Sequence, residues 1–213
     1  LLRLEAAGKV FRCWCSRKDI REAASAPHEG SPVYPGTCRD LGPDEIAEVQ
    51  AAKPDRTPAW RYRATEGLIE LEDAIMGHYE QDLEDEVGDF VLRRADGLFA
   101  YQLAVVVDDI EMQITDVLRG EDLLESTPRQ IALYRALGAE PPRFWHVPLM
   151  HDEAGERMSK RNRSESLQAL REAGWTPERV VGRLAASLGI APPGAELSTT
   201  ELLASRPDLS KLP

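Results

Sequence analysis

The sequence has few of the features that mark membrane, disordered or disulfide-stabilised proteins. Its longest apolar runs, such as Leu103–Val107, are far shorter than the roughly 20 residues that span a bilayer. Hydrophobic residues make up 42% and charged residues 30%, which excludes disordered, collagen-like and coiled-coil chains. At 213 residues the chain can bury one sizeable core without disulfide bonds. We expect a soluble, monomeric, cytoplasmic protein with no membrane partner.

Several common catalytic motifs are also missing. The sequence contains no P-loop, no G-x-G-x-x-G and no G-x-S-x-G. His78, His146 and His151 show no metal-ligand spacing, and we interpret them as structural or solvated. Asp108 and Asp109 fit an acidic turn at the end of a strand better than a metal-binding or acid–base pair.

We do not interpret the first residues as a signal peptide. Leu1–Gly8 has the pattern of the end of an amphipathic helix closed by a C-terminal glycine. A signal peptide would combine a basic segment, an apolar core and a small-residue cleavage site, and none of these is present here. The pattern predicts that the chain begins inside a domain.

The charge of the chain is strongly acidic but uneven. The net charge of -11 argues against indiscriminate nucleic-acid binding. Residues 61–100 hold 11 acidic and 4 basic residues, whereas residues 151–171 hold 4 acidic and 5 basic residues. A local basic segment can therefore still serve phosphate groups.

The first hundred residues read as an irregular module followed by short strands. Residues 9–40 are rich in Cys, Gly and Pro, which is typical of compact irregular structure. A helix is predicted next, from Gly42 to about Ala52. Alternating apolar positions then predict strands at Trp60–Arg63, Leu68–Leu71 and Asp89–Arg93.

The central part has the strand–helix–strand alternation of an α/β protein. Three strands buried in a parallel sheet are predicted here, at Tyr101–Asp109, Ile114–Leu118 and Phe144–Met150. Thr127 and Gln130 form a capping-box pattern that opens a helix ending at Gly138. We therefore predict a doubly wound half-sheet over residues 99–150.

The C-terminal part is predicted to be helical. Three short helices are expected, opened in turn by Ser164, Thr176 and a Ser198–Glu201 capping box. The first two should end at Gly174 and Gly189.

The three cysteines suggest a metal site that lacks one ligand. Cys13 and Cys15 form a C-x-C pair, and Cys38 follows downstream. This set suits tetrahedral zinc with a fourth ligand from elsewhere. The fourth ligand could be His28, the commoner residue type, or Tyr34, whose phenol must lose its proton to bind. Three reduced thiols in a cytosolic protein are the alternative.

A basic segment follows the last predicted strand. Arg157, Met158, Ser159, Lys160 and Arg161 lie together in a polar stretch. Clustered cations in a mobile loop can neutralise a triphosphate while charge shifts during nucleotidyl transfer. A solvated run of charges before a helix is the alternative interpretation.

A second candidate group lies at the end of the middle strand. Arg119 would sit at the sheet edge where open α/β folds bind ligands, and could pair bidentately with a substrate carboxylate. Gly120, followed by Glu121 and Asp122, would let the backbone approach a nucleotide. Tyr101 could orient a polar substrate through its hydroxyl. A surface ion pair for Arg119 and half-buried packing for Tyr101 are the alternatives.

Taken in order, these segments resemble the glutamate branch of the class I aminoacyl-tRNA synthetases. RMSKR at 157–161 is similar to that class's KMSKS loop, with arginine where lysine is commoner. FAYQLAVVVDD at 99–109 and TDVLRGEDLLESTPRQ at 115–130 are similar to the second half of the family's catalytic core. The resemblance covers about residues 1–165, and the 99–130 block is its most specific part. It implies an α/β, Rossmann-like catalytic domain.

Within this branch the sequence most closely resembles the glutamyl-Q tRNA(Asp) synthetases. Their zinc pattern, C-x-C followed by Y-x-x-x-C, is matched by Cys13, Cys15, Tyr34 and Cys38. The resemblance therefore implies Tyr34 as the fourth ligand of one structural Zn²⁺. The chain also stops about 50 residues after the loop, whereas discriminating glutamyl-tRNA synthetases continue into an anticodon-binding domain.

The resemblance implies a ligase that activates L-glutamate with ATP and Mg²⁺ and transfers it to queuosine in the anticodon loop of tRNA(Asp). Tyr101 and Arg119 would hold glutamate, with Arg119 taking a carboxylate. Lys160 would be catalytic, neutralising the phosphates as pyrophosphate leaves. The ATP-binding residues would be Gly120, Glu121, Asp122, Arg157, Met158, Ser159 and Lys160. Such enzymes activate glutamate without tRNA, whereas the related glutamyl-tRNA synthetases generally need it.

Three consecutive parts are implied for the chain. Residues 1–60 would hold the end of a first-half helix and an inserted zinc-binding module, 61–163 the catalytic half with the KMSKS-like loop, and 164–213 a small helical cap. The family's HIGH motif has no counterpart in the sequence, so we expect the chain alone to be weakly active or inactive. Two other hypotheses are a truncated glutamyl-tRNA synthetase that charges tRNA(Glu) and a non-catalytic zinc-containing fragment that binds tRNA or protein.

Overall fold

The computed structural model describes residues 1–23, 33–150, 166–205 and 207. The α-helices in these ranges are α1 (Leu2–Ala6), α2 (Arg17–Ala23), α3 (Pro43–Ala52), α4 (Tyr101–Glu111), α5 (Thr127–Leu137), α6 (Leu167–Glu172), α7 (Pro177–Ser187) and α8 (Thr199–Ala204). The strands are β1 (Val10–Cys13), β2 (Ala59–Tyr62), β3 (Leu68–Asp73), β4 (Gly77–Asp82), β5 (Val91–Arg93), β6 (Asp116–Gly120) and β7 (Arg143–Val147). None of the helices in these ranges is long and apolar enough to cross a membrane.

The chain forms two compact units that each draw on several segments. The first unit comprises Leu1–Leu71, His78–Asp116 and Glu125–Arg143. The second comprises Glu72–Gly77, Val117–Leu124 and Phe144–Pro213, the last of these only in its described residues. Neither unit is a continuous stretch of sequence.

The first unit is built on an antiparallel sheet with the strand order β1-β2-β5. Val10 lies opposite Tyr62 and Cys13 lies opposite Ala59, so β1 and β2 pair along their whole length. Tyr62 is fully buried at the end of β2. The strands predicted around Trp60 and Val91 are confirmed, whereas β1 has only four residues in a Cys-rich segment and gave no predictive pattern.

The segment that begins at Tyr101 is a helix, so the buried strand predicted there is wrong. Leu103 and Val106, three positions apart, are its buried residues, which is helical periodicity. Three consecutive valines favour a strand by local propensity, but packing of α4 against α5 decides the outcome. Asp108 and Asp109 consequently lie in the last turn of α4 rather than in a turn after a strand.

Helix α5 has the predicted extent but not the predicted capping box. It ends at Gly138, which adopts the left-handed conformation with φ 74°. Its N-cap is Ser126, without a side-chain cap hydrogen bond, and Thr127 is fully buried inside the helix. Gln130 Nε2 instead donates a 2.9 Å hydrogen bond to Gln102 Oε1 on α4. The Gln130 side chain therefore makes a tertiary contact and does not form the predicted capping box.

A strand–helix–strand unit of β6, α5 and β7 confirms part of the predicted half-sheet. Strands β6 and β7 form a two-stranded sheet, with α5 between them in sequence. Strands β3 and β4 form a second two-stranded sheet. The third strand of the predicted half-sheet is missing because its residues form α4.

The C-terminal helices begin at side-chain caps. The Thr176 hydroxyl accepts from Arg179 N–H on α7, and Ser198 forms the predicted capping box on α8. Helix α6 is capped by Ser166. Ser164, the predicted cap, lies outside the described residues.

Candidate functional site

Three thiols and one phenol meet in the first unit. Cys13 and Cys15 lie at and just after the end of β1, and Tyr34 and Cys38 lie in the segment before α3. The three Sγ atoms all lie within 4.8 Å of one another, and Cys15 Sγ is 3.6 Å from Cys38 Sγ. Tyr34 Oη is 3.4 Å from Cys13 Sγ and 3.7 Å from Cys15 Sγ. The structure thus brings together the four residues named from the sequence.

These distances fit a tetrahedral zinc complex. Zn–S bonds of about 2.3 Å and a Zn–O bond of about 2.0 Å place two sulfurs about 3.8 Å apart and a sulfur and an oxygen about 3.5 Å apart. The backbone N–H of Cys38 donates a 2.8 Å hydrogen bond to Tyr34 Oη. This leaves the oxygen as an acceptor, as a phenolate ligand requires. His28, the other candidate, lies outside the described residues.

The surroundings of the cluster are apolar with one cation. Phe11 packs against Tyr34 with 6.0 Å between the ring centres. The guanidinium carbon of Arg61 lies 4.0 Å from the centre of the Tyr34 ring, and Arg61 is only 8% exposed. Arg61 Nη1 is fixed by a 2.8 Å hydrogen bond to the Asp89 carbonyl. A buried cation at this position would offset the negative charge of thiolate and phenolate groups.

The ionisation of the cluster in the absence of metal is uneven. Burial raises the pKa of the Cys13 thiol, but hydrogen bonds with Tyr34, Cys15 and Arg61 bring its pKa below the ordinary value. Burial and the neighbouring Cys13 charge raise the pKa of Cys15 to about 12. Burial and the contact with Cys13 also raise the pKa of the Tyr34 phenol. Zinc binding would therefore release protons from Cys15 and Tyr34.

The side chain of Arg119 is held near the carboxyl end of β6 by contacts within the second unit. Its Nε–H donates to His146 Nε2 at 2.9 Å, and Nη2 donates to the Leu123 carbonyl at 3.3 Å. Its guanidinium carbon lies 5.4 Å from the centre of the Phe144 ring. These contacts orient the guanidinium plane, which is what bidentate pairing with a carboxylate requires.

His146, which contacts Arg119, is also in contact with a buried aspartate, Asp73. His146 Nδ1 lies 2.6 Å from Asp73 Oδ2, and the His146 backbone N–H donates to Asp73 Oδ1 at 3.1 Å. Asp73 Oδ1 also accepts the backbone N–H groups of Ile75 at 3.0 Å and Met76 at 2.9 Å. Both the His146 and Asp73 side chains are fully buried. The arrangement joins Arg119 to the turn between β3 and β4.

The protonation state of this group follows from its donors and acceptors. Burial lowers the pKa of His146, and the Arg119 charge acts in the same direction, although Asp73 opposes it. Burial raises the pKa of Asp73, but hydrogen bonds from Met76 and His146 bring its pKa below the ordinary value. At neutral pH the group is therefore a neutral imidazole beside a carboxylate.

Sequence reasoning missed Asp73 and did not recognise the position of His146. His146 was expected to be structural or solvated, and it is 0% exposed on β7. The available signal was its place inside a predicted buried strand, because a buried polar side chain needs a hydrogen-bond partner. Asp73 carried no comparable signal, since it lies in the most acidic part of the sequence.

The turn after Arg119 is closely packed by its own side chains. A Cβ atom on Gly120 would lie 2.7 Å from Asp122 Oδ1 and 3.1 Å from Leu149 Cδ2. The Glu121 carboxylate accepts the Leu149 backbone N–H at 3.0 Å. Gly120 thus permits a close approach between the end of β6 and the segment that follows β7.

The remaining predicted site residues are placed separately. Tyr101 is the first residue of α4 and is 51% exposed. It belongs to the first unit, and Arg119 belongs to the second. The KMSKS-like residues Arg157, Met158, Ser159 and Lys160 lie outside the described residues.

A second group of potential metal ligands lies on the surface. Glu70, His78 and Glu80 place one ligand atom each within 4.8 Å of one another, and all three residues are exposed. The contacts of His78 include Glu80 Oε2 at 3.5 Å. Exposed side chains of this kind are ordinarily solvated, as the sequence led us to expect for His78.

Curated proteins with similar sequences carry one common name. The chain is 48% identical over 191 residues to a glutamyl-Q tRNA(Asp) synthetase of Nitratidesulfovibrio vulgaris, covering 89% of this chain and 58% of the relative. It is 45% identical over 217 residues to the protein of that name from Symbiobacterium thermophilum, covering 100% of this chain and 66% of the relative. The chain thus spans about three fifths of the length of these relatives.

Solved structures of similar fold include glutamate–tRNA synthetases. The enzyme from Elizabethkingia anophelis superimposes with a TM-score of 0.77 at 22% identity, over 99% of this chain and 48% of that one. A glutamate–tRNA ligase from Elizabethkingia meningosepticum gives a TM-score of 0.75 at 22% identity, over 99% of this chain and 47% of that one. This likeness supports the α/β synthetase fold. The family model for the catalytic domain of class I tRNA synthetases (E and Q) matches residues 2–206, and the chain therefore belongs to that family.

Proposed function

We propose that the chain is part of a ligase that activates L-glutamate with ATP and transfers it to queuosine in tRNA(Asp). The observation that carries this proposal is the oriented guanidinium of Arg119 near the carboxyl end of β6. The shared name of the curated relatives supports the choice of acceptor. The chain's own residues would act by positioning and charge stabilisation.

Glutamate would be bound by Arg119 and Tyr101. Arg119 is fixed through Nε and Nη2, and a guanidinium held in one plane can present paired N–H donors to a carboxylate. Tyr101 is exposed at the start of α4, where its hydroxyl is accessible to a polar substrate. Arg119 would take a carboxylate of glutamate, and the Tyr101 hydroxyl would offer a polar contact.

ATP would be bound by two segments of the chain. The turn Gly120–Asp122, closely packed against Leu149, would offer backbone groups to the adenosine. Arg157, Met158, Ser159 and Lys160 would form the phosphate-binding loop. Lys160 would stabilise the negative charge that develops as pyrophosphate leaves, with Mg²⁺ bound to the nucleotide supplying further charge neutralisation.

Zinc would be bound by Cys13, Cys15, Tyr34 and Cys38. Three donor–donor distances, Cys13–Tyr34, Cys15–Tyr34 and Cys15–Cys38, are close to the edge lengths of a tetrahedral site, and a bound Zn²⁺ would supply structural cross-linking rather than catalysis. Residues 1–60 would then include a zinc-binding module that contacts the RNA substrate. Residues 61–163 would form the catalytic half, and 164–213 a helical cap.

The experiment that tests this function is glutamate-dependent exchange of pyrophosphate into ATP without tRNA. It would be carried out with the chain alone and with the chain joined to the N-terminal segment of the Symbiobacterium thermophilum relative. Exchange that needs L-glutamate and is lost in Arg119→Gln supports the proposal. An exchange activity that appears only with tRNA(Glu), or none in either form, would overturn it.

The acceptor is tested separately by exchanging the RNA. Radiolabelled glutamate should be transferred to tRNA(Asp) that contains queuosine and not to tRNA(Asp) that contains guanosine at that position. Transfer to the 3′ end of tRNA(Glu) would instead identify a glutamyl-tRNA synthetase. RNA binding that is independent of both ATP and glutamate would identify a non-catalytic module.

A further inference from the structure

We propose that Asp73 and His146 act as positioning residues that hold Arg119 in the orientation needed to bind a substrate carboxylate. The inference rests on the proposed function, in which Arg119 binds glutamate. It assigns a purpose to two buried polar side chains that the binding scheme does not otherwise use. Two observations support it. Contacts run from Asp73 through His146 to Arg119, and the side chains of Asp73 and His146 are fully buried.

The direction of each hydrogen bond follows from the arginine. Arg119 Nε can only donate, so His146 Nε2, 2.9 Å away, must be the accepting nitrogen. The proton of the neutral imidazole is then on Nδ1, which donates to Asp73 Oδ2 at 2.6 Å. Asp73 therefore selects the tautomer that Arg119 needs.

Asp73 is itself fixed by the backbone. Its Oδ1 atom accepts three backbone N–H groups, from Ile75, Met76 and His146, at 2.9 to 3.1 Å. These bonds leave Oδ2 to face the imidazole and prevent the carboxylate from rotating. The turn after β3 thereby fixes Asp73, Asp73 fixes the His146 ring, and His146 fixes the guanidinium of Arg119.

This arrangement makes Asp73→Asn an informative variant. The amide oxygen would keep the three backbone hydrogen bonds, so the amide nitrogen would replace Oδ2 opposite His146 Nδ1. That nitrogen is a donor, which forces the imidazole proton onto Nε2. The Nε2–H group would then face the Nε–H of Arg119, two donors would oppose each other, and the guanidinium would turn away.

The first readout is the tautomer of His146 in the 213-residue chain. Nitrogen-15 spectra of histidine-labelled protein at pH 7.5 report which ring nitrogen carries the proton, and the His146→Gln spectrum identifies its signal among the four histidines. The wild type should show Nδ1–H, and Asp73→Asn should show Nε2–H. A wild-type Nε2–H tautomer or a doubly protonated ring would overturn the proposal.

The second readout is L-glutamate affinity, measured in the form that shows exchange activity. Asp73→Asn should raise the Kd for glutamate about tenfold to a hundredfold, the range of a charge-assisted hydrogen bond, while the KM for ATP changes little. Asp85→Asn is the matched control, because Asp85 is exposed on the π-helical turn Leu83–Val87, and it should leave both values unchanged. An unaltered glutamate Kd in a folded Asp73→Asn variant would overturn the positioning role.

A third variant separates positioning from general destabilisation. His146→Gln offers an amide oxygen where Nε2 lies, so it should retain most of the glutamate affinity that His146→Leu loses. If His146→Gln and His146→Leu lost the same glutamate affinity, the His146 side chain would only fill space, and the proposal would be wrong. Failure of the wild type to bind glutamate would count against the proposed function, whereas the tautomer spectra would still decide whether Asp73 controls His146.

Discussion

Cys38 donates its backbone N–H to the phenol oxygen of Tyr34, four residues earlier, at 2.8 Å. The same oxygen lies within 3.7 Å of two thiol sulfurs. A short loop therefore holds the phenol oxygen beside the thiols, where we propose the fourth zinc ligand. This relationship gives the tyrosine a role that its packing against Phe11 and Arg61 would not by itself suggest.

Replacing Tyr34 with Phe should weaken zinc binding and leave the packing of the ring intact. Removal of one of four ligands is expected to lower zinc affinity at least tenfold, with loss of the sulfur ligand in Cys38→Ser having a larger effect. Competition with a chromogenic chelator measures the affinity. Tyr79→Phe, on β4, is the control and should bind zinc as the wild type does. Equal affinity of Tyr34→Phe and wild type would rule out the phenol as a ligand.

Replacing Arg119 with Lys should lower glutamate affinity although the charge is kept. Lysine cannot reproduce the planar pair of donors or the contact with His146 Nε2, so we expect about a tenfold to hundredfold loss. Arg119→Gln should lose more. Arg143→Gln, at the start of β7 with its side chain 74% exposed, is the control for charge alone. Glutamate titration distinguishes the variants, and parallel losses in the Arg143 variant would indicate a general electrostatic effect.

Stability should fall as the pH drops below about 6.5, the ordinary pKa of histidine, because of His146. Its pKa is lowered in the folded protein, so between that value and 6.5 the unfolded chain binds more protons and folding weakens. The charged groups facing His146 are Asp73, Arg119 and Asp122. Urea unfolding at pH 7.5 and 5.5 should show a smaller pH effect in His146→Gln than in the wild type. An equal pH effect in both would show that His146 is not protonated on unfolding in this window.

Replacing Gly182 with Ala should destabilise the second unit. A Cβ atom at this position of α7 would lie 1.7 Å from the Ala195 carbonyl oxygen, which is backbone and cannot rotate away. We expect a loss of about 1–3 kcal/mol, typical of overpacking. Ser187→Ala on the exposed end of the same helix is the control and should change stability by less than about 0.5 kcal/mol. Thermal unfolding measures both, and an unchanged midpoint for the Gly182 variant would mean that the 190–196 segment moves aside easily.

Local sequence signals predicted some elements well and one badly. Helices α7 and α8 begin where Thr176 and Ser198 offer hydroxyl caps, since a cap acts through neighbouring backbone groups. Helix α4 was predicted as a strand, because consecutive valines carry the same local preference whether a strand or a helix packs over them. Only the contact with α5 distinguishes the two outcomes.

Among the candidate site residues, some were likewise indicated by the sequence and one was not. The spacing of the three cysteines indicated a candidate metal site, because residue type and order restrict the coordination chemistry, but it left His28 and Tyr34 open as the fourth ligand. The resemblance to the synthetase family implied Tyr34. Arg119 was identified from its place at the end of a predicted strand. Asp73 was not identified, because it is 73 positions from His146 and nothing local marks two residues so far apart as partners.

The amino-acid sequence by itself determined the family, the zinc-ligand candidates and the helix boundaries that depend on capping and glycine. These depend on residue type and short spacing, which the chain carries whatever its fold. The tertiary structure alone decided that residues 101–111 are helical and that Asp73 Oδ2 lies 2.6 Å from His146 Nδ1. Both depend on groups brought together by packing, and burial makes their hydrogen bonds obligatory.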